Sequence, residues 1–199
     1  MRTVEFWFDF ASTYSYLSAM RIDVMAQKNG LSVAWRPFLL GPIFGAQGWN
    51  TSPFNIYPAK GAYMWRDMER LCAARGLPLV RPDPFPQNSL LAARVAMAAG
   101  DTLHMAAYCR EVFVAEFSRG EAISDPGVLG DCLTRAELPT DLIEKAQEQH
   151  NKNALRAQTD AAQSHGIFGA PTFRVGAELF WGDDRLPDAL EFTAPPPRS

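Results

Sequence analysis

The opening Val4-Glu5-Phe6-Trp7-Phe8-Asp9-Phe10-Ala11-Ser12-Thr13-Tyr14-Ser15-Tyr16 constrains the fold more than any other stretch of the chain. Its aromatic and β-branched run predicts a buried strand that ends at Asp9, and Ser12 is placed to cap an amphipathic helix over 14–27. A strand therefore delivers a hydroxyl to a helix N-terminus. Free backbone N–H groups and the positive end of the helix dipole favour an anion there. Two readings of Ser12 stand open on this stretch alone: a helix cap, or a cap that also meets a ligand.

Asn29-Gly30 stops the helix, and Leu31-Ser32-Val33-Ala34-Trp35-Arg36-Pro37-Phe38 alternates as a second strand, giving a β-α-β opening with parallel strands. From Leu39 to Pro58 the composition turns to Gly, Pro, Asn and aromatics, which predicts a long functional loop. Helical periodicity covers 59–75 up to Gly76, and a second aromatic and proline loop follows at Pro82-Asp83-Pro84-Phe85-Pro86. Residues 89–165 read as successive helices broken at Gly100-Asp101, Gly120, Asp125-Pro126-Gly127 and Leu138-Pro139-Thr140. The longest of them is expected to run unbroken from Thr140 to His165. Thr172–Val175 and Glu178–Trp181, joined by Gly176-Ala177, then predict a hairpin. A last helix is expected from Gly182 to about Phe192, capped by Asp183 or Asp184, and the tail 194–199 is expected to be disordered. The organisation expected is one discontinuous α/β domain over 1–57 and 166–193, with an all-helical insertion over 58–165.

Composition removes several function classes. The 19 Lys and Arg are scattered against 22 acidic residues, for a formal net charge of −3, so a nucleic-acid partner is not expected. No apolar run approaches the roughly 18 residues that span a bilayer, and the N-terminus lacks a basic start with an apolar core; no membrane partner and a cytoplasmic location are expected. Cys72, Cys109 and Cys132 are odd in number, far apart and in helical segments, which suits small buried hydrophobes. His104, His150 and His165 have no second ligand at helical spacing, so no metal is expected.

Strand order β-α-β, helical block, β-β-α resembles the thioredoxin fold with the large helical insertion of its DsbA-like branch. Where that branch carries C-x-x-C, this chain has Ser12-Thr13-Tyr14-Ser15, and Gly169-Ala170-Pro171-Thr172 resembles the cis-proline element that faces the motif. Without either cysteine, dithiol exchange has no nucleophile and no resolving thiol. Within the branch, Phe6 to Ser12, the loop Leu39 to Phe44, Ser52 to Gly61 with Tyr63 to Asp67, Phe168 to Phe173 and Phe180 to Leu186 resemble, in order and spacing, 2-hydroxychromene-2-carboxylate isomerases, relatives of kappa-class glutathione transferases.

That resemblance implies glutathione as cofactor, a small aromatic carboxylate as substrate, and a homodimer. It implies a glutathione-dependent cis-trans isomerisation of 2-hydroxychromene-2-carboxylate to trans-o-hydroxybenzylidenepyruvate in aromatic catabolism, such as naphthalene degradation. Ser12 becomes the catalytic hydroxyl that favours the glutathione thiolate. Ala170 and Pro171 would pair with the cysteinyl unit, while Trp181, Gly182, Asp183 and Asp184 would hold the γ-glutamyl end. Phe44, Asn55, Ile56 and Phe85 fall on the substrate side. The chain departs from the family at Thr13, where proline is common, at Asp183, where an amide is common, and at Gly45, where a lysine suited to the substrate carboxylate is common. Either Lys60, Arg66 or Arg81 substitutes for that lysine, or the substrate is a different one. Two other functions remain open: a kappa-like glutathione transferase or peroxidase acting on hydrophobic electrophiles, and a silent thioredoxin-fold module that binds peptide strands beside Pro171.

Overall fold

The computed structural model describes residues 2–100 and 103–192, so the expected disordered tail lies outside the described residues. Strands β1 (Arg2–Phe8), β2 (Leu31–Pro37), β3 (Thr172–Val175) and β4 (Glu178–Trp181) form one mixed sheet in the order β2-β1-β3-β4. β1 runs parallel to β2, with Phe6 opposite Trp35, and antiparallel to β3, with Phe6 opposite Phe173. Its central place follows from its composition, because period-two alternation sends apolar side chains to both faces. Val4, Phe6 and Phe8 enter the main core, whereas Trp7 turns to a smaller cluster with Phe38, Ile43, Ala162 and Ile167.

The helices are α1 (Thr13–Ala19), α2 (Ile22–Lys28), α3 (Leu40–Ala46), α4 (Pro53–Ile56), α5 (Pro58–Arg75), α6 (Leu90–Ala99), α7 (Leu103–Phe117), α8 (Pro126–Arg135), α9 (Leu142–Lys145), α10 (Gln149–Ser164) and α11 (Leu186–Glu191). A 3-10 turn, Asp183–Arg185, leads into α11. An aromatic chain couples the sheet to α7: Phe8 lies 5.7 Å from Phe113, and Phe10 lies 5.2 Å from Phe113 and 6.4 Å from Tyr108. These rings are all almost wholly buried. Offset and edge contacts of this kind add about 0.5–1.5 kcal/mol per pair beyond their area.

Three expected elements differ. The helix over 14–27 breaks at Met20-Arg21, where Arg21 leaves helical geometry at φ −135° and its guanidinium reaches Asp183. The helix expected from Thr140 to His165 breaks after Lys145; Glu148 is extended, and the Lys145 carbonyl accepts from the Glu148 N–H at 3.0 Å and from the Asn151 amide at 2.8 Å. The longest helix is instead the 18-residue α5. The long loop at 39–58 holds two short helices, α3 and α4, the latter started by Pro53 at the first helical position and by Ser52 accepting from the Phe54 N–H. No helix among the described residues is long and apolar enough to cross a membrane.

Candidate active site

Ser12 sits where β1 hands over to α1. Its oxygen accepts from the Ser15 N–H at 3.3 Å, which is the capping bond expected of it, while its proton goes to the Ala170 carbonyl at 3.1 Å. The second contact joins parts of the chain 158 residues apart. The Ala170-Pro171 peptide is cis. The Ala170 carbonyl takes the Ser12 proton, while the Ala170 N–H makes no hydrogen bond among the described residues.

Around this junction opens a cavity of about 1490 Å³. That is generous beside the 300–1,000 Å³ usual for a small-molecule pocket. Its lining brings Ser12, Ala170, Pro171, Trp181, Gly182, Asp183 and Asp184 together with Phe44, Asn55 and Phe85. Ile56 does not line it; the other three residues of α4, Pro53, Phe54 and Asn55, do. Asn55 donates to the Phe85 carbonyl at 2.9 Å, tying α4 to the proline loop, whose Asp83-Pro84 and Phe85-Pro86 peptides are also cis. The Phe85 ring meets Trp65 edge-on at 4.9 Å, and Arg81 covers the Trp65 ring.

The γ-glutamyl role expected of Asp183 falls on a carboxylate that is already engaged. Asp183 is 3% exposed, and its carboxylate accepts from Ser18 at 2.9 Å, Arg21 at 3.0 Å and Arg75 at 2.6 Å. Two guanidiniums and a hydroxyl already satisfy it, so it does not await an ammonium. Nor does it cap a helix; it ties α1 and α5 to the end of β4. Its neighbour Asp184 is 76% exposed and holds Arg185 only at 3.6 Å, which leaves its carboxylate open to a ligand.

Of the three cations offered in place of the absent lysine, Lys60 alone lines the cavity. Arg66 pairs with Glu69 at 2.7 Å, and Arg81 lies over Trp65. Lys60 makes no ion pair among the described residues. Sequence reasoning missed several lining residues: Asp9, Tyr14, Trp49, Asp67, Arg75, Phe168 and Ser89. Tyr14 donates to Asp67 at 3.0 Å, and burial together with that carboxylate pushes its phenol well above the usual range. Phe168 and Trp181 are half exposed and pack 4.9 Å apart at the cavity edge. The signal for Phe168 and Trp49 was present as unexplained aromatics in loops. For Asp9, Asp67 and Ser89 the contacts that place them at the site, Asp9 with Leu40 and Ser89 and Asp67 with Tyr14, are remote in sequence and leave no local signal.

The cysteines take no part. All three are free and buried, and burial raises the thiol of each, that of Cys132 to about 11.

Residues 3–192 match the model of the DSBA-like thioredoxin domain. The chain is 30% identical over 193 residues to a 2-hydroxychromene-2-carboxylate isomerase of Sphingobium xenophagum, covering 96% of each. It is 28% identical over 202 residues to human glutathione S-transferase kappa 1, covering 93% of this chain and 88% of that one. A solved structure of 2-hydroxychromene-2-carboxylate isomerase superposes with a TM-score of 0.82 at 29% identity, covering 92% of this chain and 90% of the other.

Proposed function

Because the chain belongs to the DsbA-like thioredoxin domain family and, within it, to the 2-hydroxychromene-2-carboxylate isomerases, a family of enzymes, we propose that it is a glutathione-dependent cis-trans isomerase. Its substrate on this reading is a hemiketal chromene carboxylate and its product the trans-benzylidenepyruvate of aromatic catabolism. The observation that carries the proposal is the meeting of the Ser12 hydroxyl with the Ala170 carbonyl beside cis-Pro171, at the wall of a large apolar-sided cavity.

These residues fit glutathione. Ala170 offers an unspent N–H and a carbonyl for strand-like pairing with an extended peptide. Asp184, with its open carboxylate, suits the γ-glutamyl ammonium. When bound, glutathione supplies the thiol nucleophile that this chain lacks. Ser12 holds its oxygen fixed through the Ser15 N–H and keeps a movable proton; were a peptide N–H to take the Ala170 carbonyl, that proton would be free to hydrogen-bond a thiol sulfur and favour its thiolate. Lys60, which lines the cavity, receives the substrate carboxylate. Phe44, which packs against Trp49 at 5.8 Å, and Phe85 exclude water from the aromatic ring.

The test follows loss of the chromene absorbance with and without glutathione. A rate that rises with glutathione is expected, and equal rates overturn the cofactor reading. A kappa-like transferase is the second reading, favoured by the cavity's size and by Gly45 in place of a lysine. Conjugation of a chloronitrobenzene faster than chromene turnover would put that reading first.

A further inference from the structure

Asp9 terminates β1 and is 5% exposed, yet it lines the cavity. One of its carboxylate oxygens accepts from the Ala11 N–H at 3.0 Å and from the Ser89 hydroxyl at 2.7 Å; the other accepts from the Leu40 N–H at 2.8 Å. The three donors belong to three segments of the site. Ala11 precedes Ser12 in the turn that presents the catalytic hydroxyl. Leu40 is the first residue of α3, which carries Phe44. Ser89 stands between the proline loop of Phe85 and the start of α6. Ser89 occupies the N-cap position of α6 but makes no capping bond with its side chain; the hydroxyl goes to Asp9 instead. A cap is worth about 0.5–2 kcal/mol, so diverting it marks the competing bond as the stronger one.

We propose that Asp9 is the positioning residue that sets the distance between the thiol side of the cavity, at Ser12, and its ring side, at Phe44 and Phe85. This inference rests on the function proposed above for the same cavity. A carboxylate suits the task because it is acceptor-only, so one side chain can hold three converging donors. An amide cannot. In Asp9→Asn, whichever way the side chain turns, its NH2 group faces a backbone N–H, that of Leu40 or that of Ala11, and one tie is lost. Geometry held to within a fraction of an ångström matters here, since reacting groups must approach to about 3–3.5 Å.

Steady-state kinetics and amide hydrogen exchange on the full chain carry the test, with Asp9→Asn, Ser89→Ala and the double variant. The expected result for Asp9→Asn is a rise of about tenfold or more in KM for the chromene carboxylate with less than a threefold change in KM for glutathione. Ser89→Ala, which cuts a single tie, should move the same constant in the same direction by less, and the double variant should fall short of the product of the two. The Leu40 or Ala11 amide should exchange at least tenfold faster in Asp9→Asn. Unchanged KM values with unchanged exchange at both amides overturn the proposal. So does a fall in kcat alone with a displaced pH profile, which would make Asp9 an acid or base in the reaction. If wild-type protein neither binds glutathione nor turns over the chromene, the functional reading fails, and exchange at Leu40 and Ala11 still decides the clamp.

Discussion

Ser12 makes two bonds with one hydroxyl, and they are separable by experiment. Losing the acceptor bond to the Ser15 N–H removes a helix cap, worth about 1 kcal/mol. Losing the donor removes the group that would favour a thiolate, which acts chiefly in the transition state. Ser12→Ala is therefore expected to lower kcat by roughly a hundredfold or more while costing only about 1 kcal/mol of unfolding free energy. Chromene turnover and denaturant melts measure the two separately, and full activity would return Ser12 to a capping role. Glu116 on α7 presents the opposite case, a residue with chemistry but no site. It is wholly buried, neither carboxyl oxygen has a partner among the described residues, and burial, with Asp9 nearby, raises its pKa well above the usual carboxylate range. The folded chain thus holds a proton that the unfolded chain releases. Its contribution to stability is complete below about pH 4.5 and is lost as pH climbs towards the folded value, by up to about 1.4 kcal/mol per pH unit. Glu116→Gln is expected to raise stability at neutral and alkaline pH and to flatten that dependence. A melt series from pH 4 to 9 with parallel curves for the two proteins would refute this.

Elements meet at two points that a single substitution can test. Asp183 gathers Ser18 of α1, Arg21 between α1 and α2, and Arg75 of α5. Asp183→Asn leaves two guanidiniums facing a neutral amide, expected to cost about 3 kcal/mol; that is the low end for buried pairs, because each arginine is a quarter exposed. A urea midpoint unchanged from wild type would count against it. Gly61 of α5 is the second point, where it lies close against the Phe54 backbone of α4. A methyl group there would run into the Phe54 carbonyl, a backbone atom that cannot swing aside. Gly61→Ala must push α4 outward and pull Asn55 off the Phe85 carbonyl. The expected outcome is a loss of about 1–3 kcal/mol and a raised KM for the chromene, with glutathione binding held. These junctions were not legible in the sequence. Periodicity reports which face of a helix is apolar but not where another segment will supply a charge or a carbonyl, so the breaks at Arg21 and after Lys145 escaped it. The Gly, Pro and aromatic stretch at 39–58 likewise hid α3 and α4, since helices of seven and four residues carry too few turns for a period to emerge.

At the scale of the whole molecule, ligand binding to one cavity should register as global stability. Glutathione at a hundred times its Kd adds about 2.7 kcal/mol, a shift of roughly 5 to 10 °C for a chain of this size. Scanning calorimetry at millimolar glutathione checks this, and an unmoved midpoint would count against the cofactor. The sequence by itself determined the framework on which that cavity is built: a buried first strand, a hydroxyl at the helix start, a closing hairpin and a proline beside it. Those features are local, written in alternation, capping residues and turn residues that act within a few positions. Only the tertiary structure decided which groups of the site are free. It committed Asp183 to Arg21 and Arg75, left Lys60 and Asp184 open, and converged Ala11, Leu40 and Ser89 on Asp9. Whether a polar group awaits a ligand depends on partners up to 158 residues away, and such distances are set by packing rather than by any local pattern.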